Sequence, residues 1–479
     1  MGRAARYVIA VFTIFGSTLV LAQGPCPTAT STQTSSIPGR SGDLICLVPQ
    51  VYGPGGLVGV DHGGPLFSTA QFSHAAHFTN SALQSFVPLN AEIGTQLSQL
   101  PITSPVSGFV FSFNPSLGVV SRQTEGFGPV LTERPDTIGK HKLFVGFSYQ
   151  YFNFDKADGV NLKGFGAVFQ HESEANLCSP VQVVTCGPDG EPTFQHDVIA
   201  TQNRIDLKVH QFVGVATFGV TDRFDLSVAI PILQVRNSMN SDGVIDSFET
   251  AADTPPCCVH QFDPASQQIP ANETFFGSNH ADFFDNKSAS GIGDITIRGK
   301  YEVFKGEKAG IALGADVHLP TGNELNFLGS GTWGVRPFVT ASYSGRVSPH
   351  GTFGYQRNGD SILAGDVTRD TKGHLPDALT YSAGVDVGVT HRLSLNGDFI
   401  GQCLINTKKI SAVTFTDIGG GVHPDLTSST ATVNQAYISA GGKFNPAGRL
   451  LVVANVLIQV NDAGLHSKPV PLVGLSYTF

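Results

Sequence analysis

From His141 onward one pattern recurs in the chain. Leu143, Val145, Phe147, Tyr149 and Tyr151 alternate with Lys142, Gly146, Ser148 and Gln150. Ile205, Leu207 and Val209 alternate with Asp206, Lys208 and His210. Only Thr221-Asp222-Arg223 separate that stretch from the alternating Phe224, Leu226, Val228, Ile230 and Ile232. The pattern returns over 295–303, 311–319, 335–343, 379–389, 393–399 and 450–460. A period of two is that of a strand, with one set of side chains on each face. Short turns, such as 390–391 and 445–448, take turns with long loops, such as 236–289 and 404–430. Strands joined this way are antiparallel neighbours, and about twelve are expected.

Two quantities decide what such a sheet is for. Charged residues are 14% of the 479, well under the roughly 25% of soluble domains. Each segment runs about 10–15 residues, enough to cross a bilayer when tilted. Short turns on one side and long loops on the other are the habit of membrane barrels, whose strand number is even. The expectation is therefore an all-β fold: a transmembrane antiparallel up-and-down β-barrel of about twelve strands, within a range of about 10–14. A secreted soluble β-protein is the alternative. After Ala22 no run of 18 apolar residues suggests a membrane helix. The net charge of −9, without a basic stripe, gives no reason to expect nucleic acid.

Residues 1–22 read as a signal peptide: Arg3 and Arg6, then an apolar stretch from Tyr7 to Leu21, then Ala22 at the cut. Residues 23–135 read as a largely irregular periplasmic or plug-like segment, and 136–479 as the barrel. Within the segment, Leu83, Phe86, Val87, Ile93, Leu97 and Leu100 have helical spacing, so a short helix is expected over 83–100, interrupted by Pro88. Phe109 to Val120, around Asn114-Pro115-Ser116, has a hairpin pattern. Export permits disulfides. Cys178 with Cys186 and Cys26 with Cys46 are the candidate pairs, and connectivity does not follow from sequence.

The last residues give Pro471, Val473, Leu475, Tyr477 and Phe479 one face. With Tyr477 and a terminal Phe479, this strand resembles the C-terminal signal strand of bacterial outer-membrane barrels. That resemblance implies a Gram-negative-type outer membrane, its lipids and the barrel assembly machinery as partners. Gly291-Ile292-Gly293-Asp294-Ile295 with Lys300-Tyr301, and Leu319-Pro320-Thr321-Gly322 with Gly329-Ser330-Gly331, carry a second resemblance. Over about residues 140–479 the chain resembles outer-membrane transporter-like barrels of the phenol-degradation meta-pathway type. More distantly it is similar to barrels for fatty acids and aromatic hydrocarbons. The resemblance implies a channel or facilitator for small molecules, hydrophobic or aromatic ones among them.

Candidate lumen-lining residues are Asp294, Arg298, Lys300, Asp316, His318, Asp386, Arg392 and Asp398. Such charges set selectivity in a pore, or pair across it and fill it. Tyr149, Tyr151, Phe152 and Phe154 fit an interfacial girdle. His260 and His280, in one loop with Cys257 and Cys258, match no zinc spacing. No Gly-x-Ser-x-Gly elbow is present, which argues against an outer-membrane hydrolase. No cofactor or metal is implied. A structural or adhesive barrel with a closed lumen is the second expectation, and the hydrolase the third.

Overall fold

The computed structural model describes residues 24–27, 40–53, 59–61, 75–101, 110–114, 119–123, 131–172, 193–248, 260–262, 279–390, 392–447 and 449–479. The expected signal peptide and Cys178, Cys186, Cys257 and Cys258 lie outside them. Twelve antiparallel strands form the wall: β1 (Leu143–Ala157), β2 (Val198–Gly219), β3 (Phe224–Asp246), β4 (Ile295–Lys305), β5 (Ala309–Leu319), β6 (Gly334–Tyr343), β7 (Val347–Asn358), β8 (Asp377–Gly388), β9 (Leu393–Thr416), β10 (Val422–Ala447), β11 (Leu450–Gln459) and β12 (Val470–Thr478). Each pairs with the next, and β12 returns to β1, with Leu472 opposite Gln150 and Thr478 opposite Phe144. Phe479 N–H donates to the Leu143 carbonyl at 2.7 Å, so the terminal residue extends the seam. The barrel is closed, and the expectation of twelve strands holds. The hairpin at Val110–Asn114 and Val119–Gln123 forms its own two-stranded ladder and stays out of the wall.

The strands differ in length because the barrel has two storeys. On β3 the outward side chains of the first half are Leu226, Val228, Ile230 and Ile232, and the inward ones Asp225, Ser227, Ala229 and Pro231. Past residue 233 the assignment swaps. Gln234, Arg236, Ser238 and Asn240 face out, while Leu233, Val235 and Met239 are buried inside. β2 repeats this: Phe212 and Phe218 face out at the turn end, but Ile205, Leu207 and Val209 face in above them. An outward apolar band suits lipid, and an outward polar band suits water. The swap thus marks where the wall leaves the membrane.

The upper storey needs something apolar to enclose, and the N-terminal part of the chain supplies it. Helix α1 (Ala75–Leu97) buries Phe78, Ala82, Phe86, Leu89, Ile93 and Leu97 at helical spacing. It starts eight residues before the expected 83 and passes through Pro88 without ending. Burial among the upper strands outweighs the cost of the missing donor. Tyr52, Phe86, Phe169 and Phe283 form one aromatic cluster with centroids 4.8–5.9 Å apart. Cys26 and Cys46 are joined by a disulfide in the same core. The expected girdle is divided by strand period: Phe152 and Phe154 point inward and are buried, whereas Tyr149 and Tyr151 face out beside His210.

The two-storey wall predicts a position-dependent response. Ile230→Lys places a charge in the lipid band and should destabilise the folded barrel by about 2–4 kcal/mol. Asn240→Lys, on the same face of β3 but above the swap, should cost little. Urea unfolding in lipid vesicles measures both, and equal effects would contradict the assignment.

Candidate functional site

The lower storey has a polar interior that its own side chains do not fill. Residues 131–138 thread through it at the short-turn end, and charge fixes them there. Glu133 meets both Arg298 and Lys300. Lys300 Nζ donates to Glu133 Oε1 at 3.0 Å and to the carbonyls of Arg134 and Asp136 at 2.8 and 2.7 Å. Arg134 is ion-paired with Asp386, whose other oxygen accepts from Lys443 at 3.0 Å. Thr132 Oγ1 donates to Asp398 at 3.2 Å, and His350 Nε2 lies 2.8 Å from the same carboxylate oxygen. Ile138 N–H donates to Asp225 at 3.0 Å. The wall partners stand on the inward faces of six strands: Asp225 on β3, Arg298 and Lys300 two residues apart on β4, His350 on β7, Asp386 on β8, Asp398 on β9 and Lys443 on β10, and the strap sits among them.

Buried charges persist only when paired and hydrogen-bonded. Most of this network meets that condition, but Arg134 Nε and Nη1 have no partner among the described residues. A network satisfied only in part is weaker than a complete one. The strap is held, but by a network that is incomplete at Arg134.

Above the strap lies a cavity of about 190 Å³. Its lining mixes two chemistries. Leu97, Leu100, Leu131, Pro231 and Leu233 are apolar. Arg298, Asp316, His318 and Arg336, with Phe338 beside them, are the charged and polar part. Asp316 accepts from Arg298 Nε at 2.6 Å and from Arg336 Nε at 2.9 Å. Both guanidinium groups also lie near the Phe338 ring, 5.2 and 5.7 Å from its centroid. Thr296 Oγ1 lies 3.0 Å from His318 Nδ1, and His318 Nε2 has no hydrogen-bond partner among the described residues.

The glycine-rich motifs meet beside this cavity. The wall breaks between Ile292 and Ile295, and Asp294 turns to the 320–333 loop. Its carboxylate accepts from Gly322 N–H at 3.0 Å, from Ser330 N–H at 2.7 Å and from Ser330 Oγ at 2.5 Å. A Cβ at Gly329 would lie 2.4 Å from Asp294 Oδ1, so the close approach requires glycine there.

Of the residues singled out from sequence, the lower lumen brings together Arg298, Lys300, Asp316, Asp386 and Asp398, with His318 at the cavity. Asp294 organises the loop as well as bordering the cavity. Arg392 is corrected: it is exposed in the turn before β9, one residue short of the lumen, because the period-two reading was carried past the strand's end. The partners Glu133, Arg134, Lys443 and Arg336 were not foreseen. The signal for two of them was the charged run Glu133-Arg134-Pro135-Asp136 just ahead of β1. His260 and His280 lie apart, one against Asp197 at 2.7 Å and the other against Asp242 at 2.7 Å. Ser247 Oγ donates to Asp197, which also meets His260. That order puts the carboxylate in the middle, whereas a serine nucleophile needs histidine there.

Above the lipid band a carboxyl pair ties α1 to the wall. Glu92 of the helix faces Asp158, and both accept from Ile410 N–H at 3.2 Å. Burial first, then the neighbouring Asp158, holds the Glu92 carboxyl well above its usual range. The folded chain therefore favours the protonated Glu92 carboxyl more than an unfolded one does.

Comparison with known proteins places these features in context. The family described as "Putative MetA-pathway of phenol degradation" matches residues 192–463, more than half of the chain. No curated protein matches it. Among solved structures, an outer membrane channel from Pseudomonas putida F1 is similar at 11% identity over 72% of this chain and 98% of that one, with a TM-score of 0.39. A FadL homologue from Pseudomonas aeruginosa shares 11% identity over 79% and 98%, with a TM-score of 0.34. The toluene transporter TbuX of Ralstonia pickettii shares 12% identity over 74% and 99%, with a TM-score of 0.27.

The carboxyl pair predicts how α1 responds to pH. A raised folded-state value means that the native state holds the extra proton, so its stability is present at low pH and lost as pH rises through that value. Hydrogen exchange over residues 86–97, corrected for intrinsic rate, should therefore be faster at alkaline than at mildly acidic pH. Glu92→Gln, which keeps the group neutral, should remove the difference. A pH dependence unchanged in that variant would contradict the assignment.

Proposed function

The chain belongs to the family described as "Putative MetA-pathway of phenol degradation", and on that premise we propose that it is a channel of the bacterial outer membrane, serving uptake of small molecules of apolar or aromatic character. The observation that carries this reading is a cavity of mixed apolar and charged lining, enclosed by a lipid-facing barrel and floored by a charge-held strap. Leucine and proline side chains fit an apolar ring. The Arg298–Asp316–Arg336 cluster and His318 offer donors and acceptors to one polar substituent. The short-turn end faces the periplasm in this reading, and passage requires residues 131–138 to leave the lumen. No step of covalent chemistry is assigned, so the protein is read as a transporter and not an enzyme. Residues 1–22 act as a cleaved export signal, 23–135 as the plug and 136–479 as the wall. The strand ending at Phe479 serves as the recognition strand for the assembly machinery.

A closed structural or adhesive barrel is the second reading, favoured by one observation: α1 and its core fill the upper storey. Conductance separates the two. In planar bilayers the channel reading expects discrete steps. Arg134→Ala removes one partner of a buried pair, worth on the order of 3 kcal/mol, and should raise the open fraction by roughly tenfold or more. Silent bilayers for both proteins, with each barrel folded by heat-modifiable gel mobility, would favour the closed barrel.

A further inference from the structure

The β9–β10 hairpin is the longest in the barrel, and it does not stand straight. Its register shifts between Leu404 and Thr407, where Asn406 has a φ of +58°. An extra residue in one strand bends it. Beyond the bulge the hairpin reaches the opposite side of the wall, since β9 and β3 are six places apart in strand order. There Asp425 accepts from Val168 N–H at 3.0 Å. At the tip, a Cβ added to Gly419 would lie 2.8 Å from the Phe248 ring, just past the end of β3.

Three side chains converge at that contact. His423 Nε2 lies 2.7 Å from Asp417 Oδ2 and 3.6 Å from Asp246 Oδ2. The three ligating atoms fall within 4.8 Å of one another. One imidazole nitrogen offers a single proton, yet two carboxylate oxygens close on it. A cation at the centre would satisfy all three. Ligands about 2.0–2.2 Å from zinc lie roughly 3.4 Å apart in a tetrahedral shell. The separations here, 2.7 and 3.6 Å with all three atoms within 4.8 Å, bracket that value, and the His423–Asp417 pair would open to admit the ion. The donor set has one nitrogen and two carboxylate oxygens, which suits a divalent first-row cation better than calcium or magnesium. Asp417 is already oriented: its Oδ1 accepts from Gly421 N–H at 2.8 Å, and Gly420 holds the turn with a φ of +86°. Such support around a ligand is what metal sites use to fix geometry.

We propose that Asp246, Asp417 and His423 form a zinc-type divalent cation site that clasps the β9–β10 hairpin to the end of β3 across the mouth of the barrel. Asp246 comes from one wall and the other two from the opposite one, so the ion closes a span that the backbone does not. The neighbouring Asp242, His280 and Asp282 are all exposed and come from adjacent strands, so they clasp nothing. This site is independent of the channel reading.

The test is calorimetric titration of untagged full-length protein in detergent micelles with zinc chloride alone. One zinc per chain is expected to depend on the site. Asp246→Asn and His423→Ala should each weaken it by more than roughly 10-fold, while His280→Ala should not. Asp246→Asn keeps the hairpin turn, which Asp417 builds, so a folding defect does not confound it. Zinc should also slow hydrogen exchange in residues 411–426 of the parent but not of Asp246→Asn. Failure to bind zinc, binding untouched by both site variants, or loss only with His280→Ala would each overturn the proposal.

Discussion

A strand in hydrocarbon can send its N–H and C=O groups only to a neighbouring strand, so a sheet in a membrane must close. Everything else in this protein follows from that closure. β12 returns to β1, and even the terminal Phe479 spends its N–H on Leu143. Closing twelve strands leaves an interior wider than one row of side chains fills. The chain fills it from its own N-terminal part, and the filling takes two chemical forms. Where the wall stands in lipid, its inner face is largely polar, with apolar patches at Phe144, Val213 and Val215 and at Leu451, Val453 and Leu472, and the strap brings Glu133 and Arg134 to meet the charged part. Where the wall stands in water, its inner face is apolar, and α1 brings Phe78, Phe86 and Ile93.

The sequence made the wall legible but not its filling. Period two assigns residues to faces, and in the last strand Val473, Leu475 and Tyr477 face out as the alternation suggested. Period two does not say which face is inside. Ile205, Leu207 and Val209 have the same texture as Leu226, Val228 and Ile230, yet one set is core and the other faces lipid. What separates them is the partner: polar residues such as Lys208 need water, and Ser227 and Asp225 need the lumen. That partner is a matter of height in the membrane, which no local pattern records. In the same way Arg298, Lys300 and Asp386 could be placed on inward positions, but their counter-charges came from residues 131–138, far away in the sequence. Arg392 shares the inward parity of Ser394 and Asn396 but stands in the exposed turn, since alternation ends where the strand does.

A filled lumen and a transport role are compatible only if part of the filling moves. The two halves differ in how easily that happens. The upper core excludes water and is pinned by the Cys26–Cys46 disulfide, by Tyr52 Oη at 2.6 Å from Ser241 Oγ, and by aromatic contacts. The strap is held by buried ion pairs beside a polar cavity, and two Arg134 nitrogens have no partner among the described residues, so its network is incomplete. In the proposed channel, residues 131–138 move, α1 stays in place, and the cavity between them holds the solute.

Tethering the strap tests this most directly. A Cβ at Gly310 would lie 3.5 Å from the Cβ of Pro135, within the span a disulfide bridges. The measurement is solute flux into liposomes through the Pro135→Cys, Gly310→Cys double variant, oxidised and then reduced, beside each single variant. The account predicts flux abolished in the oxidised double variant alone and restored on reduction. Full flux with the tether formed would show that solute passes without the strap moving, and would contradict it.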